Sequence, residues 1–293
     1  MVQRKTNDRT QVTEVQKRFE ADLYHRLIRD DNDTHDGQPL RQAITERVVD
    51  EDALQLAELR YEPGEGLVPV SAQLDFDFPE NPDAAAAFED WLHDEIDAGI
   101  LETADRSAVV EGRHYSAEYI RQASEQGVKH ADRELSRAGA SEVIPDDDSL
   151  ASVLRTPAHQ DIMSSAYVRA YDELDGITSD MATEISRTMS DALADGVNPR
   201  ETARRMNDRV DKVGMTRARR MARTETARTY NLHSAARYDD LGVTEVEVLT
   251  ASPCDACADL ASQNPHPVEN AGGLLPVHPN CVCSISPIPE TME

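Results

Sequence analysis

All four cysteines of this 293-residue chain lie between positions 254 and 283. They fall in two knuckles, Cys254-Asp255-Ala256-Cys257 and His278-Pro279-Asn280-Cys281-Val282-Cys283. A Cys-x-x-Cys turn aims two thiolates at one centre, and a second knuckle about 20 residues later completes a tetrahedral zinc site. The stretch between them contains Asn270-Ala271-Gly272-Gly273, flexible enough to fold back. Five candidates compete for four ligand positions: Cys254, Cys257, His278, Cys281 and Cys283, with His266 a weaker sixth. Met1-Val2-Gln3-Arg4-Lys5 leads into polar residues and shows no apolar signal segment, so a disulfide framework is not the default. Two other readings stay open: reduced buried cysteines beside a polar loop, and a redox or disulfide pair. A structural Zn2+ is the leading one. A catalytic zinc needs an open position and a water-activating acid. Asp255 and Asp259 are near in sequence, but nothing else points to catalysis. So short a tail also has few apolar residues for a core of its own, which favours a metal staple.

Upstream, the period is helical. Phe19, Leu23 and Leu27 recur at i, i+4, i+8 within residues 1–30, and a polar helix is expected over about 40–60. Tyr61-Glu62-Pro63-Gly64-Glu65-Gly66 is a break. Val70, Ala72, Leu74, Phe76 and Phe78 then alternate with polar residues, which predicts a half-buried strand. Asp83 could cap a following helix carrying Phe88, Trp91, Leu92 and Ile96. From about 115 to 242 the pattern is helical almost throughout. One segment carries Tyr119, Ala123 and Leu135, and a second Ile162, Ala166, Tyr167, Ala170, Tyr171 and Leu174. A third carries Ile177, Met181, Ile185, Met189 and Leu193. Gly196-Val197-Asn198-Pro199 stops one helix and starts the next, which is short. A longer one runs from about Met215 to Leu241, with Gly242 past its end. Val243, Val246 and Val248 predict a short strand, and residues 251–293 show almost no helical pattern. The expected fold class is mainly α: an elongated helical bundle with an α+β N-terminal region and a small β plus zinc-knuckle tail. Its segments would be 1–110, 111–242 and 243–293.

The charge is strongly negative, −26 at pH 7, and only four of the 30 basic residues are lysine: Lys5, Lys17, Lys129 and Lys212. Arginine in place of lysine within an acidic chain reads as adaptation to molar salt, where a Debye length of about 3 Å quenches self-repulsion. The alternative is an ordinary acidic protein whose G+C-rich genome favours Arg and Ala codons. The summed field repels nucleic acid and anionic membranes, and no window approaches the roughly 18 apolar residues of a membrane span. Against that background Arg200, Arg204, Arg205, Arg209, Lys212, Arg217, Arg219, Arg220, Arg223, Arg228 and Arg237 form a basic stretch. It is either a local contact for DNA or an acidic partner, through residues such as Arg204, Arg205, Arg219 and Arg220, or a set of arginines neutralising acidic neighbours within the bundle. No interleaved aromatics favour base stacking.

Ala222-Arg223-Thr224-Glu225-Thr226-Ala227-Arg228, Asn231, Tyr238, Leu241-Gly242, the Cys254 knuckle with Leu260, and Pro276-Val277-His278-Pro279-Asn280-Cys281-Val282-Cys283 follow in that order. Together with Gly196 to Ala203 they resemble the phage Mu F-like head morphogenesis family, the minor head (minor capsid) proteins of tailed viruses. The resemblance spans roughly residues 115–287. Val282 stands where the family usually has arginine, and Val248-Leu249 where it commonly has an aromatic; neither removes a ligand. The resemblance implies a structural, non-enzymatic protein present in several copies per virion. It would bind the portal protein, contact the major capsid protein and packaged viral DNA, and aid packaging or ejection. It would reside at the portal vertex or capsid interior after assembly in the host cytoplasm, with no membrane partner. The Arg-for-Lys bias suggests the tailed virus of a haloarchaeon. Arg223, Thr224 and Glu225 are expected to anchor the tail on the helical core, Glu225 by pairing with Arg228. The alternative is a zinc-dependent hydrolase or nuclease acting on viral DNA or cell wall. A toxin-like effector is a third reading, and residues 1–110 show no nucleophile–base set for it.

Overall fold

The computed structural model describes residues 12–27, 40–48, 59–62, 66–69, 90–102, 104–145, 149–197, 199–250 and 254–288. Among the described residues the protein is mainly α, with a small three-stranded antiparallel sheet near the C-terminus. The expected strand over 70–78 lies outside the described residues, as do residues 1–11. Among the described residues no helix is long and apolar enough to cross a membrane.

Two compact units emerge, each discontinuous in sequence. The first comprises residues 1–21, 104–173 and 219–293, and the second residues 22–103 and 174–218. This grouping cuts across the consecutive segments 1–110, 111–242 and 243–293.

In the chain's order, α1 is Thr13–Leu27, α2 Leu40–Val48, β1 Leu59–Glu62 and β2 Gly66–Pro69. The helix expected over 40–60 therefore gives way to a hairpin, with Leu59 opposite Pro69 and Glu62 opposite Gly66. Helical residues 90–96 (α3) pass into a π-helical turn, Asp97–Leu101. Then come α4 (Arg106–Val110), α5 (Ser116–Arg137), α6 (Leu150–Val153) and α7 (Pro157–Ala194). The two stripes expected as separate helices lie on the single α7, because Gly176 sits inside it with its Cβ direction in open space and forces no break. α8 (Pro199–Arg209) continues through a π-helical segment, Val210–Met215, into α9 (Thr216–Asp240). Gly242 takes φ +76° just past α9, where Val243 N–H reaches back to the Tyr238 carbonyl.

The tail is β3 (Glu245–Leu249), α10 (Asp255–Ala261), β4 (His266–Pro267), α11 (Val268–Ala271) and β5 (Ser284–Pro287). β3 is central, with β4 and β5 antiparallel on either side. The side-chain amide of Asn264 acts as further strand edge, accepting from Val248 N–H (2.8 Å) and donating to the Val248 carbonyl (3.2 Å). One expectation for the tail needs correction: it holds short helices, with Cys254 at the N-cap position of α10. Its core is shared with the helices. Val246, Val248, Leu275, Ile285 and the buried cysteines pack with Ala131 and Leu135 of α5 and Ala235 and Tyr238 of α9.

Within the second unit, the guanidinium of Arg26 is buried. It binds Asp22 (3.2 Å), Glu102 (2.8 Å) and the Gly99 carbonyl (3.1 Å), fixing α1 to the turn after α3. In the first unit Phe19 of α1 stacks on Tyr119 of α5, centroids 4.4 Å apart.

Candidate metal centre

The turn of α10 brings Cys257 inward while Cys254, at the N-cap, stays exposed. The second knuckle bends at Asn280, whose φ of +61° is a left-handed conformation that asparagine tolerates, and Cys281 N–H closes the turn on the His278 carbonyl (3.1 Å). β5 then carries the chain away, its start fixed by Cys283.

These elements bring together all five expected ligands. Donor atoms of Cys254, Cys257 and His278 lie within 4.8 Å of one another, and so do those of Cys257, Cys281 and Cys283. Cys257 belongs to both groups. Its Sγ is 3.2 Å from His278 Nε2 and 3.9 Å from Cys281 Sγ. A tetrahedral ion with bonds near 2.3 Å holds neighbouring sulfurs about 3.8 Å apart, so the second distance fits one edge of such a site. His278 is set up as a ligand. Its Nδ1–H donates to the Pro279 carbonyl (2.8 Å), which leaves the Nε2 lone pair facing Cys257. The cluster can hold a metal ion. His266 is not in it; its Nε2 meets the Leu260 carbonyl (3.2 Å). Asp255 and Asp259 are exposed.

The thiols strongly influence one another. The S–H of Cys283 pulls the Cys281 thiol down to about 5, helped by the backbone N–H groups of Cys283 and Val277 and opposed by burial. Burial, then the Cys254 thiol, pushes Cys257 up to about 11. The bond to Cys281, with burial, raises Cys283, while the Cys257 backbone N–H lowers Cys254. A dication among these sulfurs would convert those it binds to thiolates.

The Arg-Thr-Glu segment of α9 lies against this tail, but its three residues divide the work. Thr224 touches the knuckle: its Oγ1 accepts from Asn280 N–H (3.3 Å) and donates to the Arg220 carbonyl (2.7 Å). Glu225 is buried and takes Arg228 and Arg169, both at 3.1 Å. Arg223 turns to Glu20 of α1 (2.6 Å). Two further residues hold the tail. Asn231 of α9 donates to the Cys283 carbonyl (3.2 Å), and His130 of α5 donates through Nε2 to the Ile285 carbonyl (3.2 Å). The sequence signal for Asn231 is a poor helix former in mid-helix, where a side chain normally finds a specific partner.

Most of the basic stretch is paired. Arg204 binds Glu201 (2.7 Å) and Asp208 (2.9 Å), and Arg205 binds Glu201 (3.0 Å) and Asp195 (3.6 Å). Arg204 and then Arg205 hold the Glu201 carboxyl down at about 2. Arg219 joins Arg223 on Glu20 (3.2 Å), Arg217 meets Asp180, and Arg237 meets Asp132 (2.8 Å). Among the described residues Arg220 is exposed and makes no ion pair.

Comparison with family models, with curated proteins and with solved structures found no match for this chain.

Proposed function

We propose that this chain is a structural minor capsid protein of a tailed virus, in which a zinc ion closes the thiol-rich tail onto α9. The observation that carries the proposal is the meeting of the two sequence features that the resemblance joins. Thr224 of the Arg-Thr-Glu helix receives the backbone of Asn280 from the His-Pro-Asn-Cys knuckle. Zinc is the ion that thiolate and imidazole donors in tetrahedral array favour. Cys257 is shared by two groups of three donors, so more than three Cys and His side chains stand around it, which supports a closed structural ion rather than a catalytic one. The partner is the portal protein, with the major capsid protein and packaged DNA as further contacts inside the virion. Acidic partners within the chain occupy Arg204, Arg205 and Arg219, so of those four expected contacts Arg220 is the one offered outward.

The test is to purify the chain at high salt, measure its metal content, and capture it on assembled portal rings. About one zinc per chain, retention on the portal and no turnover of DNA or peptidoglycan are expected. A metal-free chain, or failure to bind the portal, overturns the proposal. Metal-dependent hydrolysis would establish the zinc-hydrolase alternative in its place.

A further inference from the structure

α7 and α9 each carry a histidine that the metal centre does not use. His159 and His233 are both 0% exposed. Their rings lie edge to edge, with centroids 4.8 Å apart and planes 14° from parallel, and the two Nδ1 atoms are 2.5 Å apart. Two lone pairs cannot face each other at that separation, so one Nδ1 carries a proton that the other accepts. Asp240 decides which. Its carboxylate lies 3.6 Å from His159 Nε2, beyond hydrogen-bond reach, and by its charge alone favours an N–H there. His159 is then the Nε2–H tautomer and accepts at Nδ1, and His233 donates from Nδ1. The Nε2 lone pair of His233 is left in the interior, without a partner among the described residues.

This arrangement has room for neutral rings only. The charged groups facing the pair are Asp240 and Arg237 on α9 and, from α5, Asp132, which Arg237 already engages at 2.8 Å. α7 contributes His159 itself. The backbone of α5 closes the remaining side at Gly127, where an added Cβ would stand 3.0 Å from His233 Cβ. Asp240 can balance one imidazolium at most, and a second would be buried against the first. Burial depresses both rings, and with the neighbouring His159 it takes His233 to about 3.

We propose that Asp240, His159 and His233 form an acid-sensitive fastener between α7 and α9, closed while both rings are neutral and released when they take up protons. An unfolded histidine titrates near 6.5. Both folded values lie below that, so this contribution is complete above about pH 6.5 and falls as the pH drops towards the folded values. Each ring kept neutral weakens the folding equilibrium about tenfold per pH unit in that window, and the pair about a hundredfold. A buried pair is little screened, so the effect persists at high salt.

The test is denaturant unfolding of the full chain from pH 7 to pH 4.5, comparing wild type with His159→Phe, His233→Phe and the double variant. Carboxylate effects are common to all four and cancel in the ratios. Below pH 6 the wild-type equilibrium should fall by about tenfold per pH unit relative to His233→Phe, and more steeply than that relative to the double variant, from which both rings are missing. Parallel pH curves overturn the proposal. Should the variants not fold, nitrogen-15 imidazole NMR of the wild type provides the reading. His159 should appear as the Nε2–H tautomer and His233 as Nδ1–H, both neutral until the chain unfolds. Titration of either ring near 6.5 in the folded protein refutes it.

Discussion

Gly127→Ala and Gly176→Ala are the same chemical change inside two helices, and the structure predicts opposite signs. In an open helix interior the exchange gains up to about 1 kcal/mol of helix propensity. Gly176 of α7 is such a place, with nothing within 4 Å of a Cβ. At Gly127 of α5 the new methyl would stand 2.4 Å from the Tyr230 carbonyl oxygen of α9, with His233 Cβ at 3.0 Å. That obstacle is backbone and cannot swing aside, so the helices must separate. Overpacking of this kind costs about 1–3 kcal/mol. Separation also strains the bond from Ser234 Oγ to the Gly127 carbonyl (3.0 Å), worth about 1 kcal/mol. After the propensity gain, Gly127→Ala should destabilise by roughly 2 kcal/mol, a fall of about 4–8 °C in Tm for a unit of this size. Gly176→Ala should raise Tm by about 2–4 °C. Scanning calorimetry at fixed salt reads both. A Gly127→Ala protein as stable as wild type would mean that α5 and α9 do not approach this closely, and the placement of His130 against β5 would fall with it.

Cys257→Ser should weaken metal binding most among the five candidate ligands, because Cys257 belongs to both donor groups. The loss should exceed the roughly 10–100-fold typical of an outer-shell partner, and metal-competition titration would show it. Asn231→Ala removes the donor to the Cys283 carbonyl and should cost about 1–3 kcal/mol in denaturant unfolding, with faster proteolysis of the tail; unchanged proteolysis would show that Asn231 does not hold it. Phe19→Ala should cost about 3–5 kcal/mol, since Phe19 is fully buried against Tyr119; a loss below about 1 kcal/mol would place α1 off α5.

Sequence reading succeeded where the signal was local chemistry or a long period. The apolar stripes of α5 and α7 are visible because each repeats over several turns, and the cysteine and histidine cluster because thiols and their spacing are informative alone. It failed where an element exists only through distant contacts. β5 and α10 are too short to show a period and are ordered by packing on α5 and α9. The role of His130 could not be read, because its partner is a backbone carbonyl 155 residues away, and carbonyls have no sequence signature. Composition could not decide between the two readings of the arginines. The ion pairs of Arg204, Arg205, Arg217 and Arg219 favour neutralisation of neighbours.

The shared core changes what a metal at the tail would do. A knuckle without apolar support unfolds when its ion leaves. Here Cys257, Cys281 and Cys283 pack with Val246, Val248 and Ile285 against Ala131, Leu135 and Tyr238, and Asn231 and His130 hold the backbone independently of any ion. Metal loss would therefore leave Cys257 and Cys283 as protonated thiols, with Cys283 donating to Cys281, in apolar surroundings that a small hydrophobe such as cysteine tolerates. Chelation should then loosen the exposed positions around Cys254 and His278 while β3 and β5 stay paired. Hydrogen exchange before and after chelation separates the two behaviours. Loss of protection at Val248 and Ile285 together with the knuckle would mean that the ion, and not the shared core, holds the sheet.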